Sequence, residues 1–166
     1  MTGLGTLARR AVRRSTALTC AWYLVDDWRA GQRIARGDIA TRLGARHKAL
    51  ALAESLAYID SIHRDYLAYA GRDRFAGAIA EIGPGDNFGL AMRLLGDGAD
   101  MVHAIDRYAS ERDADQQAAI SRVLAEKHGL EALFDGAPGE GNLRGLRYHP
   151  GRPAENFFAE SGLRFD

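Results

Sequence analysis

Residues 78–89 read Ala78-Ile79-Ala80-Glu81-Ile82-Gly83-Pro84-Gly85-Asp86-Asn87-Phe88-Gly89, a short apolar strand running into a glycine-rich turn and then a helix. Glycine at 83 and 85 lets the backbone take angles that a Cβ forbids, and lets another molecule approach the main chain closely. The helix that follows aims its free N–H groups at the same spot. Some twenty residues on, Met101-Val102-His103-Ala104-Ile105-Asp106 reads as a second strand ending in an acid. Doubly wound sheets place a carboxylate there to meet a ribose. An α/β fold with a parallel sheet is the architecture these two segments permit.

Spacing narrows the ligand. A dinucleotide fingerprint, G-x-G-x-x-G, requires its third glycine at position 88; Phe88 stands there and the glycine arrives one place late, at Gly89. Glu81 lies two residues ahead of the first glycine. A carboxylate at a strand's C-terminal end repels a pyrophosphate and attracts an ammonium. The pattern therefore selects a nucleoside carrying a cationic amino-acid group. An ordinary strand-to-helix turn also uses glycines, which number 19 in 166 residues. The acid before the turn and the second strand with its terminal acid favour a ligand site.

Acid-x-Gly-x-Gly after a strand, followed by an acid ending the next strand, resembles the cofactor-binding start of class I S-adenosylmethionine-dependent methyltransferases. The resemblance rests on Glu81-Ile82-Gly83-Pro84-Gly85-Asp86-Asn87 and on Ala104-Ile105-Asp106-Arg107. It implies that S-adenosyl-L-methionine is the cofactor and that Glu81, Gly83, Pro84, Gly85, Asp86, Asn87, Asp106 and Arg107 surround it. Gly83 and Gly85 would line the methionine moiety, Glu81 would lie near its amino group, and Asp106 would accept hydrogen bonds from the ribose hydroxyls. Asn87 departs mildly from the family, which often has a smaller residue there. Asp86 has two readings, a ligand contact or a cap on the next helix. The implied fold is a helical N-terminal cap over residues 1–75 and, over 76–166, the first three βα units of a Rossmann-like parallel sheet, incomplete.

Charge is distributed unevenly although it sums to zero: residues 1–50 hold ten Lys and Arg against three acids, and residues 51–166 hold twelve against nineteen. A basic half can serve nucleic acid or an anionic membrane. Here Arg9, Arg10, Arg13 and Arg14 alternate with Leu4, Leu7, Val12 and Leu18 at helical spacing, so they read as the solvated face of a helix, and neither nucleic acid nor membrane is an expected partner. A single cysteine, Cys20, excludes an internal disulfide framework; in its apolar run it reads as a small buried residue. No signal-peptide core or long apolar span is present, which suggests a cytoplasmic protein. The five histidines have no ligand spacing, so no metal site is expected.

Periodicity predicts helices over 4–20, 22–36 and 46–70, the last stopped by Gly71. Within it His63 reads as a packing residue, and Tyr58, Tyr66 and Tyr69 as residues that dock the helix, with roofing a cofactor pocket as the alternative. Strands follow near 78–82, 101–105 and 143–148. Helices fall near 87–95, from 111 to 128 behind a Ser110 cap, and over 154–160. Residues 135–142 read as a flexible loop and 149–153 as a rigid connector.

Leu163-Arg164-Phe165-Asp166 resembles the lead into the fourth strand of the methyltransferase sheet. On that reading the chain is truncated, binds cofactor weakly if at all, and has little or no activity alone. A three-stranded parallel sheet would leave an edge open for self-association. The methyl acceptor and the catalytic residues are not legible. Two other functions fit parts of the pattern. One is a non-catalytic α/β module that uses the open edge for a partner; the other is a fragment of a nicotinamide-dependent oxidoreductase, which Glu81 and the late glycine oppose.

Overall fold

The computed structural model describes residues 15–37, 47–139 and 141–165. Contacts divide the chain into two compact units, Met1–Ile39 and Ala40–Asp166. In the first unit the described residues form one helix, α1 (Thr16–Ala35), which Ser15 caps through its Oγ with the Leu18 N–H at 3.4 Å. The break expected near residue 21 is absent: Ala21 and Gly31 sit inside a continuous helix. No residue of α1 is buried, and Cys20, expected to be buried, is exposed. The arginines at 9, 10, 13 and 14 lie outside the described residues.

The second unit runs α2 (Leu52–Ala70), β1 (Gly77–Ile82), α3 (Gly89–Asp97), β2 (Ala99–Asp106), α4 (Ala114–His128), β3 (Leu146–Pro150) and α5 (Ala154–Ser161). Its sheet is wholly parallel in the order β1-β2-β3, with Ala80 opposite His103 and Ala104 opposite Tyr148. Consecutive parallel strands joined by right-handed crossovers put both connecting helices on one face. That face carries Ile79, Val102 and Leu146 against Ala91, Leu94 and Leu95 of α3. A second cluster, Ile59, Met92, Ile120 and Leu124, packs α3 against α2 and α4. His63 is buried in the same layer, with Nε2 2.8 Å from Asp97 Oδ2, so it packs as its position on the apolar stripe suggested.

The opposite face is covered by α5. Its Phe157, only 2 % exposed, lies over His103 and His149, with ring centroids 5.6 and 4.6 Å away. Ile82 at the end of β1 remains 65 % exposed on that side.

Several boundaries move from their expected places. Helix α4 starts at Ala114, because Asp113 and not Ser110 is its cap; Asp113 Oδ1 accepts the Gln116 N–H at 3.0 Å. The third strand starts at Leu146, since Gly145 takes a φ of 83° that ends any extended run before it, and Leu143 pairs instead with Phe134. His149 and Pro150, expected in a connector, belong to β3. The loop at 135–142 is braced by Asn142, whose amide donates to the carbonyls of Asp135 and Ala137 and accepts the Gly139 N–H.

Candidate functional site at the carboxyl edge of the sheet

Gly83 and Gly85 form the turn that leaves β1, with φ values of 71° and 76° that side-chain-bearing residues rarely take. The Gly83 N–H is fixed to the Ile105 carbonyl at 2.8 Å, which locks the turn to the end of β2. A Cβ at Gly83 would meet no heavy atom within 4 Å, so the residue faces open space. Gly89, the late glycine, has another cause. A Cβ there would overlap Ile59 Cδ1 and come within 2.9 Å of Asn87 Oδ1, so the spacing lets α3 close on α2.

The side chains between the glycines hold the turn. Asn87 is buried and its Oδ1 accepts the Gly89 N–H at 2.7 Å. Asp86 is buried as well, but it does not cap α3. Its Oδ2 accepts the Lys48 N–H at 2.9 Å and its carbonyl accepts the Gln117 amide, tying the short helical turn His47–Ala49 and α4 to the glycine loop. The sequence suggests an acid at a helix start. What it does not show is that a segment nearly forty residues earlier supplies the donor.

Glu81, the penultimate residue of β1, faces the helical layer and is 8 % exposed. It lines a cavity of about 150 Å³ together with Gly83, Pro84, Asn87 and, from α2, Tyr58, Ile62 and Tyr66. Burial pushes its carboxyl up to about 8, and the nearby positive charge of Arg112 offsets only part of this. Its Oε2 is buried without a hydrogen-bond partner. The Tyr66 hydroxyl is raised too, by burial first and then by the Glu81 charge. Tyr58 and Tyr66 thus flank the acid, whereas Tyr69, expected to dock the helix, is 94 % exposed.

Asp106 ends β2 and is also buried, at 8 % exposure. Its Oδ1 accepts the Tyr108 N–H at 3.3 Å, and its Oδ2 is buried without a partner. Burial raises its pKa, against the opposing effects of the Tyr108 N–H, the Arg112 charge, and the N–H and hydroxyl of Ser110, which also hydrogen-bond to this carboxylate. Asp106 does not line the cavity beside Glu81. Arg107, expected alongside it, points elsewhere: its guanidinium lies 3.9 Å from Glu155 Oε1 and stacks on Tyr108, with half its side chain exposed.

Sequence reasoning passed over Arg112. Its guanidinium carbon lies 4.2 and 4.0 Å from the ring centroids of Phe88 and Tyr148, two rings that meet edge to face with centroids 5.2 Å apart, and its Nη2 donates to the Gly85 carbonyl at 3.3 Å. No motif marks an arginine six residues past a strand end. Only the paired aromatic rings, from α3's approach and β3, reveal it.

Comparison of the chain with protein-family models, with curated proteins and with solved structures finds no match. The geometry therefore carries the functional reading. Among the described residues no group of three or more His, Cys, Asp or Glu is placed to hold a metal ion. None of the described helices is long and apolar enough to cross a membrane.

Proposed function

We propose that this chain is the S-adenosyl-L-methionine-binding part of a class I methyltransferase. The observation that carries the reading is Glu81: a buried carboxylate with an unpartnered oxygen, opening on a small cavity walled by a glycine turn at the sheet's carboxyl edge. An acceptor oxygen left unpaired in a buried position costs about 1–3 kcal/mol, and a cationic amino group meets that need. A cavity of about 150 Å³ falls below the ~300–1,000 Å³ of sites that enclose a drug-sized ligand. It takes the aminoacyl end and leaves the nucleoside outside, where Asp106 Oδ2 offers a second unpartnered acceptor to ribose hydroxyls.

When bound, the cofactor supplies a methyl group on a positively charged sulfur. The chain's own residues hold and orient it: Glu81 the ammonium, Gly83 and Gly85 the backbone cradle, Asn87 the turn, Asp106 the ribose. Such transfers depend on holding the reacting atoms close and in line. The fit to these residues also disfavours a diphosphate, which would meet Glu81 where it needs donors.

The experiment is titration calorimetry of the purified chain with S-adenosylhomocysteine. Weak but saturable heat is expected, lost in Asp106→Ala, with NADH failing to compete. Absence of heat at millimolar ligand would favour a non-catalytic module that uses an outer strand of the three-stranded sheet for a partner.

A further inference from the structure

Away from the glycine turn, the helical layer carries a second concavity. Ala57, Asp60 and Arg64 of α2, Arg93 of α3, and Lys127 and His128 of α4 line a cavity of about 400 Å³. Gln117, which meets the glycine loop, lies about 15 Å from Lys127 along α4. Among the lining residues Asp60 is the sole acid. Its Oδ2 meets Lys127 Nζ at 2.6 Å, and its Oδ1 meets His128 Nε2 at 3.1 Å and Arg93 Nε at 3.5 Å. The last contact is not aligned as a hydrogen bond, and Arg93 Nε is buried without a hydrogen-bond partner. Arg64 Nε donates at 3.3 Å to the Asp60 main-chain carbonyl, a neutral oxygen. His128 reflects the imbalance: a carboxylate contact ordinarily raises an imidazole pKa, yet burial and then the Arg93 charge bring this one below its usual value. Ion-pair networks can fasten helices together, and Asp60 joins α2 to α3 and α4 in this way. That role occupies Asp60 and accounts for neither the surplus cations nor the cavity.

We propose that this cavity binds the phosphate group of a small phosphorylated molecule. Arginine forks match the oxygens of a phosphate. The permanent cations Arg64, Arg93 and Lys127, set against Asp60 alone, leave two positive charges for a dianion. The volume falls within the ~300–1,000 Å³ of small-molecule sites, whereas a bare phosphate fills the space of only a few waters at about 30 Å³ each. An organic body therefore accompanies the phosphate. This site is separate from the one at the sheet's carboxyl edge and does not depend on what that one binds.

The test is NMR titration of the full chain with glucose 6-phosphate, inorganic phosphate and glucose at constant ionic strength, followed through the Lys127 and His128 amides. Glucose 6-phosphate is expected to saturate with a Kd of about 1 mM or below, inorganic phosphate to bind at the same signals at least about threefold more weakly, and glucose to shift nothing. Arg64→Gln changes an exposed residue and leaves the Asp60 ion pairs in place. It is expected to weaken glucose 6-phosphate about tenfold and to move the melting temperature by less than about 2 °C. Shifts that fail to saturate by about 20 mM with both phosphate compounds overturn the assignment. So does an Arg64→Gln chain that binds as the unaltered one does. Inorganic phosphate binding as tightly as the ester overturns it too, since the cavity would then hold a bare anion.

Discussion

Replacing Glu81 with glutamine will leave stability nearly unchanged at pH 5 and raise it by about 2–4 kcal/mol at pH 9 relative to the unaltered chain. The sign follows from linkage. A carboxyl whose folded pKa stands near 8, against 4.5 for the free side chain, binds its proton more tightly when folded. The folded state is therefore favoured at low pH, and that advantage drains away as pH rises from about 5 through 8. The full separation of the two values sets an upper limit near 5 kcal/mol, which relaxation around the charged group reduces. Glutamine keeps the shape and does not ionise. Denaturant unfolding of both chains at pH 5, 7 and 9 measures the effect; a gap that does not widen with pH would mean that Glu81 is already ionised and solvated in the folded protein.

Phe157→Ala will cost about 3–5 kcal/mol, enough to lower the melting temperature by roughly 10 °C. Phe157 is the buried anchor of α5 on its face of the sheet. Its ring meets His149 at 4.6 Å and His103 at 5.6 Å, and the two imidazoles lie stacked with Nδ1 of one 3.0 Å from Nε2 of the other. Burial lowers the pKa of both histidines, as do the charges around them. Truncation would open this pocket to water, so NMR should show both titrating closer to the free value. A loss below about 1 kcal/mol would mean that α5 does not cover this face. The same pair gives the intact protein an opposite trend to that of Glu81: groups with depressed folded pKa values withdraw stability as pH falls below 6.5.

The parts of this fold legible in the sequence are those written locally. An apolar run, two glycines at forced angles and a terminal acid are adjacent residues, so β1, its turn, β2 and the placement of Glu81 and Asp106 at strand ends follow from a few consecutive positions. The late glycine was legible as a departure from the dinucleotide spacing, although its cause, Ile59 of α2, lies thirty residues earlier. Partnerships across the chain were not legible. Asp86 looks like a helix cap until Lys48 is seen to use it, and Arg112 looks like one more arginine until its contacts with Phe88 and Tyr148 are seen. Helix starts were misplaced where several polar residues compete to cap, as from Ser110 to Asp113. Cys20 and Tyr69 were misjudged because an apolar neighbourhood in sequence does not say which face is covered.

The most direct test of the Glu81 assignment is the ¹³C titration of its side-chain carboxyl, with and without saturating S-adenosylhomocysteine. Free protein should give a midpoint near 8, and the ligand's ammonium should lower it by about two units, so that binding at pH 7 expels a proton from Glu81. A midpoint that the ligand leaves unmoved would contradict the account.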